Sequence, residues 1–337
     1  MGVTIKEVAK KANTSVATVS RVINKSGFVS EKLKNQVIKS IKKLNYHPNA
    51  VAKSLKNEKT YMIGLLISDI TNPFFSSIVK AVENTLNKEG YTVILCNTAE
   101  DINKEKKYLK ELMGRQIDGL IVSAVSDQGD HFQSLIEDHL PLVFVNRTPN
   151  GLKTKNAVLT DNKKGGFMAT DYLIKLGHSR VGAILGPDTK NTGRERKKGY
   201  LKALVENGID INESIIKVGD FSLRSGYYLI KELINMDMPP SAVFIANNQM
   251  TLGAIEGLKN LHIKIPEEIS IVGFDYSQWM RVVEPKITTV VQQSYQLGKE
   301  SANKLLSIIE GQGEQEGSFI KILPPEFMSG NSATFYK

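Results

Sequence analysis

One stretch near the start constrains the fold more than any other, residues 4–24, TIKEVAKKANTSVATVSRVIN. Thr4 and Glu7 have the spacing of a capping box, so a first helix is expected to begin directly after Thr4. Asn13 tolerates the left-handed backbone that ends such a helix, and the hydroxyl of Ser15 can cap a second helix. The stretch therefore predicts two short helices joined by a tight turn.

The second of these helices has an apolar side and a side of small, hydroxyl and basic residues. Val19, Val22 and Ile23 have the spacing of a buried face. The residues left for the outer side are Val16, Ala17, Thr18, Ser20 and Arg21. Small side chains permit close approach to base pairs, and an arginine can donate two hydrogen bonds to guanine. The pattern is typical of a helix that enters the major groove of DNA; a helical cap without a partner is the alternative.

Charge is distributed unevenly along the chain. Residues 1–60 contain 13 basic and 3 acidic residues, a net charge of +10. The whole chain has 44 basic and 35 acidic residues, so the remainder has 31 and 32, a net charge of −1. A basic segment beside a groove-sized helix predicts nucleic-acid binding. A third helix, expected at about 30–44 with a lysine-rich outer face, would add phosphate contacts.

Length and cysteine content limit the class of protein. The 337 residues suit a small head and a two-lobed body better than one domain. Cys96 is the only cysteine, which excludes an internal disulfide and favours a reducing compartment. No run approaches the ~18 apolar residues of a membrane span, and the first residues lack the apolar core of a signal peptide. A cytoplasmic location is expected.

Beyond Thr60, short apolar runs alternate with amphipathic segments. The runs MIGLLIS, YTVILCNT, GLIVSA and PLVFVN predict one set of buried strands, and RVGAILG, SAVFIAN and ISIVGFD predict a second set after Asp161. Helical patterns separate them at about 75–89, 104–115, 165–176, 193–207 and 222–235. This alternation predicts an α/β body of two doubly wound lobes with parallel sheets, whose ligands bind at the carboxyl ends of the strands.

The helix-turn-helix segment resembles the LacI/GalR family of bacterial transcription regulators. The run from Ser15 to Asn24, SVATVSRVIN, matches the recognition helix of that family, and Val29-Ser30 begins its third helix. Asn13 departs from the glycine that is usual there, but asparagine also suits that backbone. The resemblance covers nearly all of the chain. It implies a homodimeric, sequence-specific regulator, expected to be a repressor, that binds pseudo-palindromic operator DNA.

The resemblance also implies the domain organisation. It places a helix-turn-helix domain at 1–48, a hinge helix and linker at 49–60 and a periplasmic-binding-protein-like body at 61–337. Lobe 1 is expected at about 61–161 and 292–322, and lobe 2 at about 162–290 and 324–337. Three crossovers between the lobes would let them close on a small molecule.

A short basic helix is expected after Pro48. In the family this hinge helix folds on DNA and inserts a leucine into the minor groove; Leu55 matches that leucine, and Ala52 lies on the same face. The alternative is that Leu55 only fastens the linker to the body. The residues expected to contact DNA are Thr4, Ser15, Val16, Ala17, Thr18, Ser20, Arg21, Asn24, Asn49, Ala52 and Leu55.

Candidate effector-binding residues follow the predicted strands. Phe74, in the family-like segment DITNPFF, is either a wall of the cleft or part of the lobe core. Thr192, Arg194 and Arg196 lie at the first turn of a predicted helix, where free N–H groups and guanidinium groups would suit an anion. In the family, the position of Arg196 carries the ligand-binding arginine.

Further candidates come from the resemblance. Phe221 matches an aromatic wall, Asn247 a polar contact and Asp275 a carboxylate that accepts hydrogen bonds from the ligand. Asn248 stands where the family has a carboxylate, which makes an anionic ligand easier to accept. Trp279 is either a third wall or a packing anchor. The expected effector is a sugar, a sugar acid or a sugar phosphate.

The sequence lacks the common catalytic motifs. It contains no G-x-x-x-x-G-K-[ST], no G-x-S-x-G and no H-E-x-x-H segment, so neither an enzyme nor a cofactor or metal site is expected. The alternatives are a sugar-binding module or sugar enzyme with an incidental basic head, or a regulator controlled by a protein co-regulator.

Overall fold

The computed structural model describes residues 3–24, 26–46, 59–153, 155–312 and 317–336. It divides into two compact units, Met1–Thr60 and Tyr61–Lys337. The helices are α1 Ile5–Lys11, α2 Val16–Asn24, α3 Glu31–Lys43, α4 Pro73–Leu86, α5 Ile102–Gly114, α6 Asp130–Glu137, α7 Asn162–Lys175, α8 Asn191–Glu206, α9 Leu223–Ile234, α10 Asn248–Asn260 and α11 Ser294–Ile309. The strands are β1 Met62–Ile67, β2 Thr92–Asn97, β3 Gly119–Val122, β4 Leu142–Val145, β5 Asn156–Thr160, β6 Val181–Leu185, β7 Ile216–Val218, β8 Ala242–Ile245, β9 Ser270–Phe274, β10 Thr288–Val291, β11 Phe319–Leu323 and β12 Glu326–Met328.

The first unit is a three-helix head with the predicted turn. The N–H of Thr4 donates to the Glu7 carboxylate at 2.7 Å and the N–H of Glu7 to the Thr4 hydroxyl at 3.4 Å, which confirms the capping box. Asn13 has the expected positive φ of 45°. The Ser15 hydroxyl accepts from the N–H of Thr18 at 3.1 Å and so caps α2. The buried residues that hold the head together are Val8, Ala9, Ala12, Val19, Val37 and Tyr46.

The second unit contains two lobes, each built on a six-stranded sheet. The strand order is β11-β5-β4-β3-β1-β2 in lobe 1 and β12-β10-β9-β8-β6-β7 in lobe 2. Among the described strands every pairing is parallel except that of β10 with β12. The inner strands are buried along nearly their whole length and are mostly apolar, because helices cover both faces of each sheet. The predicted α/β class with two doubly wound lobes is confirmed.

The chain passes between the lobes after β5, after β10 and after β11. Helix α11 therefore belongs to lobe 1, where Leu297, Ala302 and Leu305 join the core. It packs so closely against α4 that a Cβ atom at Gly298 would be only 2.5 Å from the carbonyl oxygen of Ile78. Among the described residues, no helix is both long and apolar enough for a bilayer span.

Candidate functional site

A cleft lies where the carboxyl ends of strands from both sheets face each other. In each sheet the strand order reverses, between β1 and β3 and between β6 and β8, which is where doubly wound sheets bind ligands. The space between its atoms, including the part open to solvent, is about 280 Å³. It is lined by Asn72, Phe74, Phe75, Asn146, Arg147, Thr192, Arg196, Phe221, Asn247, Asp275 and Gln292.

The floor of the cleft is a buried guanidinium and a buried carboxylate. Arg196 and Asp275 are 3% and 4% exposed, and Nη1 of the arginine is 3.8 Å from Oδ2 of the aspartate, too far for a hydrogen bond. Arg196 instead donates from Nε to Asn162 Oδ1 at 2.8 Å and from Nη1 to the carbonyl oxygen of Ala246 at 2.5 Å. Asp275 accepts from Gln292 Nε2 at 2.5 Å. The two charges are close but not directly joined.

Burial makes both charged forms costly. It lowers the pKa of Arg196 to about 10, although the nearby charge of Asp275 opposes the shift. It raises the pKa of Asp275, against the opposing effects of Arg196 and of the hydrogen bond from Gln292. A ligand that hydrogen-bonds to both groups would therefore stabilise charges that the protein alone stabilises incompletely.

A second charged cluster lies beside the first. The Nη1 atom of Arg147 donates to both carboxylate oxygens of Glu100, at 2.8 and 2.9 Å, and to the Ser68 hydroxyl at 3.2 Å. Lys190 Nζ donates to the same carboxylate at 2.5 Å. Since Glu100 belongs to lobe 1 and Lys190 to lobe 2, this cluster joins the two lobes.

Aromatic rings form parts of two walls. Phe74 is 5% exposed and packs edge-on against Phe75, with ring centroids 5.1 Å apart. Phe221 packs so tightly over Gly186 that a Cβ atom there would be 1.9 Å from the ring. Apolar walls beside a few convergent polar groups are the usual composition of a small-molecule site.

The backbone at the cleft is unusual. Asn146, Phe221 and Asp275 have φ values of 64°, 71° and 70°, and Ala99 and Glu100 beside the cleft have values of 52° and 59°. Residues other than glycine rarely adopt this left-handed conformation, which costs free energy. Such residues concentrate where side chains must be held in fixed directions, so their presence here marks the cleft as a functional site.

Buried polar atoms without hydrogen-bond partners also concentrate here. Within the described parts of the chain six side-chain atoms are of this kind, and four of them belong to residues that line the cleft. They are Asn146 Oδ1, Arg147 Nε, Thr192 Oγ1 and Gln292 Oε1. Unpaired buried polar groups are rare because each costs roughly 1–3 kcal/mol, so a cluster of them indicates a place for a polar ligand.

Asn247 and Asn248 make mainly structural contacts. Asn247 caps α10 by accepting from the N–H of Met250 at 2.9 Å, and it donates to the Phe221 carbonyl oxygen at 2.9 Å. Asn248, which is 1% exposed, pairs with Asn72 across the lobes at 2.9 Å. The side-chain amide of Asn248 therefore joins the two lobes and is not one of the groups that line the cleft.

Two of the predicted effector-binding residues do not line the cleft. Arg194 forms an ion pair with Asp127 of lobe 1, and the same carboxylate accepts from the N–H of Asn191, the first residue of α8, at 3.1 Å. The anion site predicted at this helix end is thus occupied by Asp127, a residue of the protein itself. Trp279 packs against the core of lobe 2 and is a packing anchor.

Sequence reasoning missed Arg147, Gln292 and Glu100. Asn146 and Arg147 directly follow β4, and Gln292 directly follows β10, so the strand-end rule could have identified them. Glu100 lies three residues beyond the end of β2 in a left-handed turn that no local pattern predicts.

The outer face of α2 is the candidate DNA-binding surface of the head. Val16, Ala17, Arg21 and Asn24 are exposed, whereas Thr18 is half-buried. Ser20 is half-buried and accepts from the Asn24 side chain at 3.2 Å. Thr4 and Ser15 are exposed, and each also caps a helix. The remaining predicted DNA contacts, Asn49, Ala52 and Leu55, lie outside the described residues.

Comparison with known proteins agrees with this division. Residues 4–49 match the family model of bacterial regulatory proteins of the lacI family, and residues 60–329 match that of periplasmic binding proteins and the sugar binding domain of the LacI family. The HTH-type transcriptional repressor PurR of Proteus mirabilis (strain HI4320) is 40% identical over 313 residues, which cover 92% of each protein.

Two solved structures are similar over most of the chain. The lac repressor dimer bound to operator and the anti-inducer ONPF is 26% identical, with a TM-score of 0.88 over 99% of this chain and 100% of that one. A LacI family regulator from Enterococcus faecium with bound ribose is 32% identical, with a TM-score of 0.73 over 82% of this chain and 100% of that one. The protein, with its DNA-binding head and periplasmic-binding-protein-like body, is therefore a member of the LacI family of bacterial transcription regulators.

Proposed function

We propose that this protein is a homodimeric repressor that binds pseudo-palindromic operator DNA in the cytoplasm and is controlled by an uncharged monosaccharide in the cleft. The four unpaired polar atoms of the cleft carry the proposal for the effector. The exposed face of α2 and the basic charge of residues 1–60 support the DNA-binding part. We expect the protein to catalyse no reaction.

The chemistry of these atoms favours hydroxyl groups as their partners. Arg147 Nε requires an acceptor, whereas Asn146 Oδ1 and Gln292 Oε1 require donors. A hydroxyl group can donate and accept, but an ionised carboxylate or phosphate oxygen only accepts. A ligand with several hydroxyl groups therefore satisfies this set, whereas a carboxylate or phosphate group alone does not. Sugars, sugar acids and sugar phosphates all carry such hydroxyl groups, so the charges of the cleft have to decide among them.

The charges of the cleft point to a neutral sugar. Arg196 is close to Asp275, and Arg147 is paired with Glu100, so the guanidinium groups already have carboxylates near them. Phe74 and Phe221, which line the cleft, offer apolar faces for a sugar ring. The E. faecium relative, whose structure contains ribose, makes ribose the first sugar to test.

Calorimetric titration of the full-length protein tests the effector class. D-Ribose is compared with D-ribonate, D-ribose 5-phosphate and adenine. We expect D-ribose to bind and the two anions to bind more weakly. Tighter binding of an anion or of adenine would contradict the proposed class.

The DNA-binding part is tested with duplexes selected from a random pool by the full-length protein. Arg21→Ala should lose discrimination at a guanine position by about 1–3 kcal/mol. Leu55→Ala should weaken binding to the selected duplex far more than binding to random DNA, because a wedge is needed only where the duplex bends. Equal losses on both DNAs would exclude the wedge.

The proposed control is a linkage between two binding equilibria. The effector contacts residues of both lobes and so favours their closed arrangement. If closure changes the affinity of the dimer for its operator, the operator must change the affinity for the effector by the same factor. Measuring effector affinity with and without operator therefore tests the linkage directly.

A further inference from the structure

Glu100 lies where two cationic side chains converge at the cleft. The Arg147 and Lys190 side chains both donate to its carboxylate, at 2.8 and 2.5 Å. The three side chains come from three separate segments, which follow β2, follow β4 and precede α8. Arg147 and Lys190 are largely buried, with side-chain exposures of 8% and 12%, and Glu100 is partly exposed at 30%.

The two cations belong to the wall of the proposed effector site. The guanidinium carbon of Arg147 is 5.3 Å from the centroid of the Phe221 ring, and Lys190 Nζ is 5.8 Å from it. Arg147 also lines the cleft itself. An anionic group bound between these cations would therefore be next to a sugar ring on Phe221.

Glu100 is the carboxylate that contacts this pair of cations in the described structure. Asp275 lies near Arg196 and accepts from Gln292, and Asp220 acts on Lys190 from an exposed position. Burial by itself raises the pKa of Glu100, but the charges of Arg147 and Lys190 hold it below the ordinary value. Burial lowers the pKa of Lys190, as does the charge of Arg147, and Glu100 opposes both effects. Glu100 is thus the carboxylate that pairs directly with both cations, and Asp220 is a more distant charge near Lys190.

A carboxylate held by a guanidinium and an ammonium group occupies the place that a ligand phosphate or carboxylate would need. An anionic ligand must either displace Glu100 or approach its negative charge, and both cost free energy. A neutral sugar meets neither penalty, because Arg147 keeps its Nε available for a hydroxyl group.

We propose that Glu100 is the residue that determines charge specificity, an internal counter-ion that makes the cleft select an uncharged sugar over its phosphorylated form. The statement about sugars rests on the proposed function. The statement that Glu100 fills a two-cation anion site does not depend on it.

The experiment compares three full-length proteins by calorimetry at low salt. They are the wild type, Glu100→Gln and the matched control Asp127→Asn, which also removes a carboxylate that joins the lobes but leaves Arg147 and Lys190 paired. The probes are inorganic phosphate, D-ribose and D-ribose 5-phosphate. We expect Glu100→Gln to bind the two phosphate-containing probes about tenfold tighter than the wild type or more, with a gain that salt reduces. Asp127→Asn should show no such gain.

The result that overturns the proposal is the absence of this gain in folded Glu100→Gln, or an equal gain in Asp127→Asn. Adding Lys190→Gln to Glu100→Gln should remove most of the gain, and a gain that survives would place the anion elsewhere. If Glu100→Gln fails to fold, the wild type still decides, because it must bind D-ribose 5-phosphate about tenfold more weakly than D-ribose or worse. If no protein binds D-ribose while Glu100→Gln gains phosphate affinity, the proposed effector is wrong and the role of Glu100 stands.

Discussion

Two arginines near the start of α8 meet carboxylates in opposite ways. Arg194 does not line the cleft but comes two residues after the cleft-lining Thr192, a position called the mouth here, and it forms a direct ion pair with Asp127 of the other lobe. Arg196, two positions later on the floor, is 3.8 Å from Asp275 of its own lobe and donates to other groups. At the mouth, the Asp127 carboxylate neutralises the charge of Arg194, and this ion pair joins the two lobes. On the floor it leaves hydrogen-bonding capacity for a ligand.

The difference in burial predicts a difference in energy. The mouth pair has side-chain exposures of 30% and 19%, and partly exposed pairs of this kind contribute about 0–1 kcal/mol. The floor pair has exposures of 4% and 6%, and removing one partner of a buried pair typically costs about 3–5 kcal/mol. Substitutions at the floor should therefore cost more stability than substitutions at the mouth, and more ligand affinity as well, because Arg196 and Asp275 line the cleft.

The largest effect is expected from Arg196→Ala. It removes a donor of the floor and leaves Asp275 buried without its cation, so D-ribose affinity should fall about 100-fold or more. Calorimetry measures the affinity, and operator binding without effector should persist. Arg194→Ala is the matched control, with an expected loss below about 1 kcal/mol. Equal losses in the two variants would mean that mouth and floor do not differ as described.

Thr192→Val should separate ligand binding from stability. The Thr192 hydroxyl is buried without a hydrogen-bond partner, so replacing it by a methyl group of similar size should not lower the melting temperature. The same change should weaken D-ribose binding by about 1–2 kcal/mol, because a hydrogen bond to the ligand is lost. A lower melting temperature with unchanged affinity would show that this hydroxyl serves the fold and not the ligand.

A smaller effect is expected from Asp127→Asn. Loss of the ion pair with Arg194 should favour the open arrangement and weaken D-ribose binding by less than about 1 kcal/mol. The difference from the wild type should shrink as salt is raised, since the pair is partly exposed. A loss as large as that of Arg196→Ala would place Asp127 in the binding site.

The smallest effect concerns stability at acid pH. Because the folded-state pKa of Glu100 is below its ordinary value of 4.5, the unfolded chain binds more protons there, and this contribution to stability disappears as the pH falls through the folded-state pKa. Melting temperature measured from neutral to acid pH should therefore fall less steeply for Glu100→Gln than for the wild type. Identical slopes would contradict the ionised pairing of Glu100 with Arg147 and Lys190.

Much of the architecture was predictable because it depends on local pattern. The apolar runs placed the inner strands, and the strand-end rule with the family resemblance led to Phe74, Arg196 and Asp275. Helix α10 was missed because Gly253 and Gly257 lower its helix propensity. Close packing of α10 against α9 requires a glycine at position 253, because a Cβ atom at Gly253 would be 1.9 Å from the carbonyl oxygen of Leu223 in α9. Strand β7, three residues long and half exposed, has too little pattern to detect.

The roles of the charged residues were less predictable. Arg194 and Arg196 lie two residues apart in the same basic segment. Only the folded chain shows that Asp127, far earlier in the sequence, forms an ion pair with Arg194. Glu100 and Arg147 likewise meet through the order of strands in the sheet, which no local pattern encodes. Which charges a protein satisfies by itself, and which it leaves for a ligand, depends on these long-range contacts.

The central claim is that effector binding in the cleft controls the binding of the head to operator DNA. Its most direct test is the affinity of the full-length protein for a duplex selected from a random pool, measured by fluorescence anisotropy with and without D-ribose. The account predicts that D-ribose changes this affinity about fivefold or more in the wild type and leaves it unchanged in Arg196→Ala. No preference for the selected duplex over scrambled DNA, or an unchanged affinity in a wild type that binds D-ribose, would contradict it.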